Sequence, residues 1–281
     1  MMMNRRSLLL GASGAVAIAS QPFGFGAAHA AQIRKIGLQL YTVRELFSAD
    51  PVATLEKVAK VGYREVEFGG GGYDAMDHKL LRKTMDRLGL KCPSLHIGYD
   101  ALLEKFDASV SMAKTLGADT VVLPYMVDKH RNAAAWDAAL VNFNRFAEKL
   151  KAAGLNFAYH NHDFEFTVKP DGVSLYDRFL KACDPALVKI ELDLYWTIHA
   201  GEDVDALIKR LAGRIYAYHV KDMRADRSMT SVGSGTIDFA SIFKMNAIAG
   251  TQHFYVENDE CPAPYIPDIT KNYQTLRGLR F

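Results

Sequence analysis

Several short apolar segments of this chain end in side chains that bind metal ions or transfer protons. In chain order these residues are His96, His160 with His162, Asp193, His219 with Lys221, and Glu257. An apolar segment with such an ending is typical of a buried parallel strand whose last residues emerge at one edge of a sheet. Mixed Asp, Glu and His side chains suit one divalent ion such as Mn²⁺, Mg²⁺, Co²⁺ or Zn²⁺, with positions left for substrate oxygens.

Residues two apart on a strand point to the same side, so the two members of a pair at a segment end can share a face. The pairs are His160 and His162, His219 and Lys221, and Glu257 and Asp259. A single histidine of this kind is more often a buried polar residue beneath a loop. Several segment ends of matching chemistry favour a metal site instead. No cysteine stands at ligand spacing, which argues against a structural zinc site.

The segments that must position these residues alternate between the strand pattern and the helix pattern. Strands are predicted at residues 35–41, 63–68, 91–97, 120–123, 156–162, 188–193, 215–220 and 253–257. Helices are predicted at residues 51–61, 77–88, 102–116, 133–152, 174–182, 203–212, 239–248 and 265–277. Glycine follows many of these helices, as is common at helix ends. Eight strands that each precede a helix indicate an α/β fold, a single (β/α)8 TIM barrel.

A doubly wound open sheet is the alternative fold, but such a sheet usually has fewer strands. No Gly-x-Gly-x-x-Gly turn follows the first predicted strand. Four glycines at residues 69–72 follow the second strand, yet neither Lys-Ser nor Lys-Thr comes after them. A flexible loop is therefore a better interpretation of this run than a phosphate-binding loop.

The first 30 residues have the pattern of an export signal. Arg5 and Arg6 precede an apolar, Gly/Ala-rich run at residues 8–19, and Ala28 and Ala30 occupy the small-residue positions that a signal peptidase reads. We therefore expect a cleaved twin-arginine signal at 1–30, a periplasmic barrel at 31–281, and no stable membrane insertion after cleavage. The alternative is a frayed or membrane-anchored N-terminus.

Composition restricts the classes of partner. Without Arg5 and Arg6 the 34 basic residues become 32, equal to the 32 acidic ones, so the mature chain has no formal net charge. A nucleic-acid binder usually has a basic excess, and none is expected here. The three cysteines are too few for a disulfide framework. A homo-oligomer is compatible with the sequence, and no linker marks a second domain.

From residue 33 to the end, the chain resembles the xylose-isomerase-like barrels, which include sugar isomerases, ketose 3-epimerases and inosose dehydratases. The segments that carry the resemblance are GLQLYTVR at 37–44, YHNHDFEF at 159–166, LDLYW at 192–196, HVKD at 219–222, GSGTIDF at 233–239 and YVE at 255–257. Together they are specific for the superfamily but say little about the substrate.

The resemblance implies one divalent metal ion held by a Glu, an Asp, a His and a Glu from strands five to eight. Asp193, His219 and Glu257 match the last three ligands. The first departs from the pattern, because many members have Glu-Asn-His where this chain has His160-Asn161-His162. Glu165, reaching back from the loop, is the favoured replacement, and His160 is the alternative. Glu191 shares a face with Asp193 but should lie one layer deeper, which makes it a weaker candidate.

The resemblance also implies removal of a proton next to a carbonyl, through an enediolate whose two oxygens the metal binds. A sugar isomerase or epimerase is therefore expected, and the expected catalytic residues are Glu257, Glu165, His162 and Lys221. The alternative reaction is β-elimination from an oxidised sugar or glycoside, because a histidine at strand five could protonate a leaving oxygen. Export and the lack of a phosphate-binding loop favour a free sugar, keto-sugar or glycoside over a sugar phosphate.

Several residues are expected to contact the substrate: Gln39, Tyr41, His96, His160, Lys221 and Trp196. Trp196, Phe164 and Phe166 could form an apolar wall against a sugar face, although a core role is the stronger expectation for each. Lys221 has the alternative of an ion pair with Asp222 or another acid at the mouth.

Two other functions remain open. A metal-dependent abasic-site endonuclease of the same superfamily needs a denser ligand set and a basic groove. A non-catalytic periplasmic sugar-binding barrel would need no metal ion.

Overall fold

The computed structural model describes residues 31–281, so the predicted export signal lies outside the described residues. Ten strands form in this region. They are β1 (Gly37–Gln39), β2 (Glu65–Glu67), β3 (Ser94–His96), β4 (Thr120–Leu123), β5 (Asn156–His160), β6 (Val188–Asp193), β7 (Ile215–Val220), β8 (Asp222–Met223), β9 (Met229–Thr230) and β10 (His253–Val256).

Eight of these strands are parallel and hydrogen-bond in the order β2-β1-β10-β7-β6-β5-β4-β3. Isolated bridges between Glu65 and Lys91 and between Phe68 and Leu95 join β2 to β3 and bring the ring close to closure. The predicted single (β/α)8 TIM barrel is confirmed. The other two strands, β8 and β9, form a short antiparallel hairpin after β7 that the sequence did not predict.

Helices lie between the barrel strands. They are α1 (Arg44–Ala49), α2 (Pro51–Val61), α3 (His78–Leu88), α4 (Tyr99–Glu104), α5 (Phe106–Leu116), α6 (Ala133–Ala152), α7 (Phe164–Thr167), α8 (Leu175–Ala182), α9 (Leu194–His199), α10 (Val204–Arg210), α11 (Phe239–Phe243), α12 (Asn246–Ala249) and α13 (Ile266–Gly278). Side chains cap several of them; Asp50 accepts a hydrogen bond from the Ala53 N–H at 2.9 Å. Within residues 31–281, no helix combines the length and the hydropathy needed to cross a membrane.

The predicted helix 102–116 is two helices in the structure. Lys105, with φ −130° and ψ 37°, lies between α4 and α5 and is not helical. The predicted helix 239–248 is likewise divided into α11 and α12. In both cases the apolar spacing continues across the break, so periodicity alone does not reveal where one or two residues leave the helical conformation.

Alternate residues of β6 divide between two environments. Ile190 and Leu192 are buried in the apolar layer beneath the helices, where each contributes about 1.5–3 kcal/mol through burial. Glu191 and Asp193 point into the barrel, where both are completely buried among polar side chains. The two-residue period of the strand thus supplies the barrel with buried acids.

A register shift between β6 and β7 decides which residues meet at the mouth. Ile190 pairs with Ile215, but β7 then contains one extra residue before pairing resumes. After this bulge Asp193 pairs with His219. An uninterrupted register would place Tyr218 beside Asp193, because a shift of one residue exchanges the two faces of a strand.

The barrel interior below the mouth is filled rather than open. The Tyr255 ring lies over Gly37, where an added Cβ would be 2.4 Å from the ring. The hydroxyl of Ser94 donates to the Tyr255 hydroxyl at 2.9 Å. Glycine at residue 37 therefore lets an aromatic ring occupy the centre of the barrel, and substrate can approach only from the mouth.

Candidate metal centre and substrate cavity

Four potential ligands meet at the carboxyl ends of the adjacent strands β5, β6, β7 and β10. They are His160, Asp193, His219 and Glu257, and one ligand atom of each lies within 4.8 Å of the others. Asp193 and His219 are fully buried, and the other two are nearly so. We call these four residues the upper cluster. The structure thus brings together three expected ligands and places His160 at the strand-five position.

A lower layer of acids holds the His219 ring. Its Nε2 lies 2.7 Å from Glu67 Oε2 and 3.0 Å from Glu191 Oε2, whereas its Nδ1 lies 2.7 Å from Glu257 Oε2. His96 Nε2 also contacts both lower acids, at 3.1 Å and 2.9 Å. A carboxylate that accepts one ring N–H fixes the tautomer and leaves the other nitrogen free to bind a metal ion. Glu67 and Glu191 are thus positioned to hold the Nε2 proton, and a metal ion in the upper cluster would replace the proton that lies between Nδ1 and Glu257.

A second group of potential ligands overlaps the first. His96, His160, Glu191 and His219 also offer atoms within 4.8 Å of one another. Glu191 does not line the cavity above the cluster, whereas Glu257 does. The second group also reaches the cavity, through His96 and His160, so the two groups differ in that the upper cluster alone has a carboxylate, Glu257, on the cavity wall.

Lys221 joins three carboxylates of the mouth. Its Nζ lies 2.7 Å from Glu257 Oε2, 3.0 Å from Asp193 Oδ2 and 3.0 Å from both oxygens of Asp259. Its side chain is 1% exposed, so these pairs are screened little by solvent. The expectation of an ion pair with a mouth acid is met by these three residues and not by Asp222.

The Asp222 carboxylate instead holds the loop that follows the β8–β9 hairpin. It accepts backbone N–H groups from Gly233 at 2.8 Å, Gly235 at 2.9 Å and Ile237 at 3.2 Å. An added Cβ at Gly235 would lie 2.2 Å from Asp222 Oδ1. The Gly-Ser-Gly segment therefore folds tightly around one buried carboxylate, which explains its place in the sequence pattern.

The buried charges offset one another. Burial lowers the pKa of His219, but Glu191 and Glu257 outweigh burial and raise that pKa well above its ordinary value. Burial raises the pKa of Glu257, but Lys221 and His219 bring that pKa well below its usual range. Burial also raises the pKa of Asp193, to about 6, against the lowering effect of Lys221. Glu257 is consequently ionised at neutral pH.

The two histidines of the strand-five segment are neutral. Burial lowers the pKa of His160 well below its ordinary value, and the charge on His219 adds to the effect. Burial and Lys221 do the same for the pKa of His162. A neutral imidazole has a lone pair for a metal ion or a proton. His96 differs, because Glu67 and Glu191 outweigh burial and raise its pKa to about 9.

The unmatched atoms of the cluster fit a cation. Asp193 Oδ2, His160 Nδ1 and Glu191 Oε1 are buried and have no hydrogen bond of acceptable geometry. Asp193 Oδ2 is in ionic contact with Lys221, and His160 Nδ1 lies 3.2 Å from Glu191 Oε2. Buried polar atoms are rarely left unpaired. Asp193 and His160 belong to the upper cluster, whose two imidazoles and two carboxylates are suitable ligands for a divalent transition ion, whereas Glu191 belongs to the second group.

Glu165, the favoured first ligand in the sequence analysis, is not brought to the cluster. Its Oε1 accepts the Tyr159 hydroxyl at 2.5 Å, and its Oε2 accepts the His162 N–H at 2.8 Å. Tyr159 points from β5 into the aromatic layer beneath the helices, next to Trp136. After His160 the chain enters α7, which turns Glu165 back to that layer, so neither a metal-binding nor a catalytic position is available to it.

A cavity of about 890 Å³ opens above the upper cluster. Of the expected site residues, its walls include Tyr41, His96, His160, His162, Lys221 and Glu257. Tyr125 and Asp259, which lie in the loops after β4 and β10, also line it. Tyr41 and Tyr125 are 38% and 43% exposed. They offer the half-exposed aromatic faces on which a sugar ring can pack.

Four residues expected near the substrate lie elsewhere. Gln39 is buried and donates to Glu67 Oε2 at 2.9 Å, so it supports the lower acids rather than lining the cavity. Trp196 packs against His162, with ring centroids 5.5 Å apart, and does not line the cavity either. Phe164 and Phe166 are buried in the core. The aromatic wall expected from these residues is instead provided by Tyr41 and Tyr125.

Glu67 was absent from the sequence predictions although it contacts two histidines of the site. The signal was present, because Glu65, Val66 and Glu67 alternate along a predicted strand. Alternation placed both acids on one face of β2, and a buried acid needs a partner. In the structure Glu65 pairs with His253 at 2.8 Å and Glu67 with His219.

Two solved structures share this architecture. A sugar phosphate isomerase/epimerase from Parabacteroides distasonis has a TM-score of 0.75 and 25% identity, and the match covers 87% of this chain and 98% of that chain. An IOLI protein with a bound zinc atom has a TM-score of 0.68 and 18% identity, and the match covers 86% of this chain and 96% of that one.

Sequence comparison gives a related result. An inosose dehydratase from Mesomycoplasma hyopneumoniae is 24% identical over 192 residues, which span 62% of this chain and 62% of that relative. Residues 55–266 match the model of the xylose isomerase-like TIM barrel family. Since that match extends over most of the barrel, the chain belongs to the xylose isomerase-like TIM barrel family.

Proposed function

We propose that this protein is a divalent-metal-dependent enzyme of the sugar isomerase and epimerase type, which removes a proton from a carbon next to a carbonyl. The meeting of His160, Asp193, His219 and Glu257 directly below the cavity, with His160 and Glu257 on its wall, carries the proposal. These four residues would hold the ion, with His160 in place of the glutamate expected from the family pattern. Bound there, the ion would stabilise the negative charge that develops on two neighbouring substrate oxygens.

The other roles in the proposed reaction are assigned to Glu257, Lys221, Tyr41 and Tyr125. Glu257 lines the cavity and is ionised, so it takes the proton from carbon. Lys221 holds the carboxylates of Glu257, Asp193 and Asp259 together and keeps Glu257 ionised by lowering its pKa. Tyr41 and Tyr125 orient the sugar ring between them.

The comparisons support an enzyme acting on a small sugar. The Parabacteroides neighbour is called a sugar phosphate isomerase/epimerase, and the zinc-bound neighbour shows that a protein of this fold holds a metal ion. A phosphate on the substrate is disfavoured by the charges of the cavity. Its lining lysines are Lys221, which three carboxylates already neutralise, and Lys105, which is exposed.

One observation favours β-elimination as a second candidate reaction. Epimerisation uses an acid or base on each face of the substrate, and the lining carboxylates near the cluster, Glu257 and Asp259, both follow β10. The strand-five side contributes neutral imidazoles, of which His162 lines the cavity. His162 would then protonate the oxygen that leaves an oxidised sugar or glycoside. The inosose dehydratase relatives are consistent with this outcome.

Metal analysis and solvent-deuterium exchange test the proposal. Purified protein should contain one divalent ion per chain and should incorporate deuterium from solvent into free sugars or keto-glycosides. Incorporation without loss of water or aglycone indicates isomerisation or epimerisation, and loss indicates elimination. A chain that binds sugars without a stoichiometric metal ion would be a binding protein, and the enzymatic proposal would be rejected.

We also propose that the protein is exported to the periplasm by the twin-arginine route. Arg5, Arg6 and the following apolar run support this location. Replacement of both arginines by lysine should retain the full-length chain in the cytoplasmic fraction. An unchanged periplasmic fraction would contradict the proposed route.

A further inference from the structure

The cavity above the metal cluster is larger than one sugar requires. At about 30 Å³ per molecule of liquid water, 890 Å³ corresponds to roughly thirty waters, whereas a hexose has roughly a dozen non-hydrogen atoms. The same cavity that includes His160 and Glu257 also includes residues of α3, α4 and α5 on the outer layer. A substrate confined to the metal would leave this outer part without a role.

Two loops connect the cluster with the outer part, and both lack bulky side chains next to the cluster. Gly69 and Gly70 lie in the chain between Glu67 and Tyr73, and both line the cavity. An added Cβ at Gly70 would lie 2.6 Å from the Tyr41 ring. Gly98 has the corresponding place after His96. Gly70 therefore lets the Tyr41 ring pack against its loop, whereas an added Cβ at Gly98 would meet no atom within 4 Å, so the space beside Gly98 is open.

One face of α5 forms the outer wall. Its lining residues recur at helical spacing and are Ala108, Ser109, Ser111, Met112 and Thr115, and Lys105 precedes the helix on the same wall. Tyr73, Asp74 and His78 line the opposite side, and the Tyr73 hydroxyl donates to the His96 carbonyl, which anchors this side to β3. We call the space between these two walls the α5 groove.

The chemistry of the α5 groove indicates an uncharged occupant. One lysine, Lys105, and one carboxylate, Asp74, line it beside His78, so the charges of its lysine and carboxylate cancel. Ser109 and Thr115 offer hydroxyl groups, while Met112 and Ala108 offer apolar surface. Such a lining suits an aromatic or hydroxylated group and gives a phosphate or carboxylate little to bind.

We propose that the substrate is a glycoside whose reacting sugar lies at the metal cluster and whose uncharged aglycone or second sugar occupies the α5 groove. This proposal rests on the proposed function only for the group at the metal. The bond between the two parts would pass beside Gly98, where the cavity wall is open. A free monosaccharide would fill the inner part alone and bind more weakly.

Calorimetric binding to the metal-loaded protein tests the groove without turnover. The probes are methyl and 4-nitrophenyl glycosides of the common hexoses in both anomeric configurations, with the matching disaccharides. We expect at least one 4-nitrophenyl glycoside or disaccharide to bind about tenfold more tightly than its methyl partner, because its second group is buried in the groove. The two kinds of probe distinguish an aglycone from a second sugar.

Ala108→Trp should fill the groove and reduce this preference to about threefold or less. Ala108 is exposed on α5, so the variant should fold normally. Lys114→Trp is the matched control, because Lys114 is an exposed residue of the same helix that does not line the cavity. The proposal is overturned if no second group improves binding, or if the preference survives in Ala108→Trp. If the wild-type protein binds the larger glycoside more tightly but catalyses no deuterium exchange, the proposed role of the α5 groove is supported and the proposed reaction is rejected.

Discussion

Glu67, at the end of β2, reaches across the barrel to the ring of His219 on β7. Glu67 Oε2 lies 2.7 Å from His219 Nε2, on the opposite side of the ring from Glu257. A carboxylate in this position determines which nitrogen carries the proton and how the ring is oriented. The geometry of the candidate metal centre therefore depends on a strand that contributes none of its four proposed ligands.

Glu67→Gln should weaken metal binding although Glu67 is not a proposed ligand. An amide can present N–H to Nε2 and no longer favours the tautomer that leaves Nδ1 free. We expect about a 10- to 100-fold loss of affinity, measured by titration of the metal-free protein. Glu65→Gln is the matched control, since Glu65 lies in the same strand and pairs with His253. Equal losses in the two variants would show that the effect is a general one of removing a buried acid.

His160→Ala should release the metal ion, and Glu165→Gln should retain it. His160 provides an atom to the upper cluster, whereas both Glu165 oxygens accept hydrogen bonds from Tyr159 and the His162 N–H. Elemental analysis after dialysis measures the occupancy of each variant. If His160→Ala keeps its full metal content and Glu165→Gln loses metal, the strand-five ligand is the carboxylate of Glu165, as in the family pattern.

Glu165 should also give the barrel a measurable pH dependence of stability. Burial raises the pKa of Glu165 to about 8, above the usual value for a glutamate in the unfolded chain. The folded state therefore binds the proton more tightly, so the stabilisation is present at acidic pH and is lost as the pH rises through about 8. Glu165→Gln removes this component, which is on the order of 4 kcal/mol.

Urea unfolding at pH 5 and at pH 8.5, with chelator present, measures that component. The wild-type free energy of unfolding should fall more than that of Glu165→Gln over this interval. Parallel pH dependences for the two proteins would mean that Glu165 is already ionised in the folded state.

Glu257→Gln should fold and lose deuterium exchange by a factor of about 10² or more, because an amide cannot accept the proton from carbon. Exchange is measured at saturating metal, since Glu257 is also a proposed ligand. Asp259→Asn is the control, as Asp259 lines the cavity but contacts the cluster only through Lys221. An unchanged exchange rate in Glu257→Gln would show that Glu257 is not the base that takes the proton from carbon.

The local pattern of apolar and polar residues was sufficient to predict many strands and helices of the barrel. The predicted bounds of β4, β6, β7 and α6 agree with the structure, because the apolar period and the flanking glycines act within each segment. The strands also had to end at one rim, so Asp193, His219 and Glu257 were identified as neighbours before any coordinates. The same reasoning missed the break at Lys105, where a single residue leaves the helix without changing the apolar spacing.

The choice between His160 and Glu165 depended on contacts between distant parts of the chain. Sequence placed both near the end of β5, but the position of Glu165 follows from α7 turning back beneath Tyr159. The partner of Glu67 likewise lies on a strand 152 residues away in the chain.

By itself, the sequence determined the barrel, its rim and the types of side chain that the rim presents, since period and polarity are properties of neighbouring residues. The tertiary structure decided which of those side chains touch. The bulge between β6 and β7 shows the physical reason, because one extra residue brings His219 rather than Tyr218 beside Asp193. Cross-strand register is set by hydrogen bonds between segments, and no single segment carries that information.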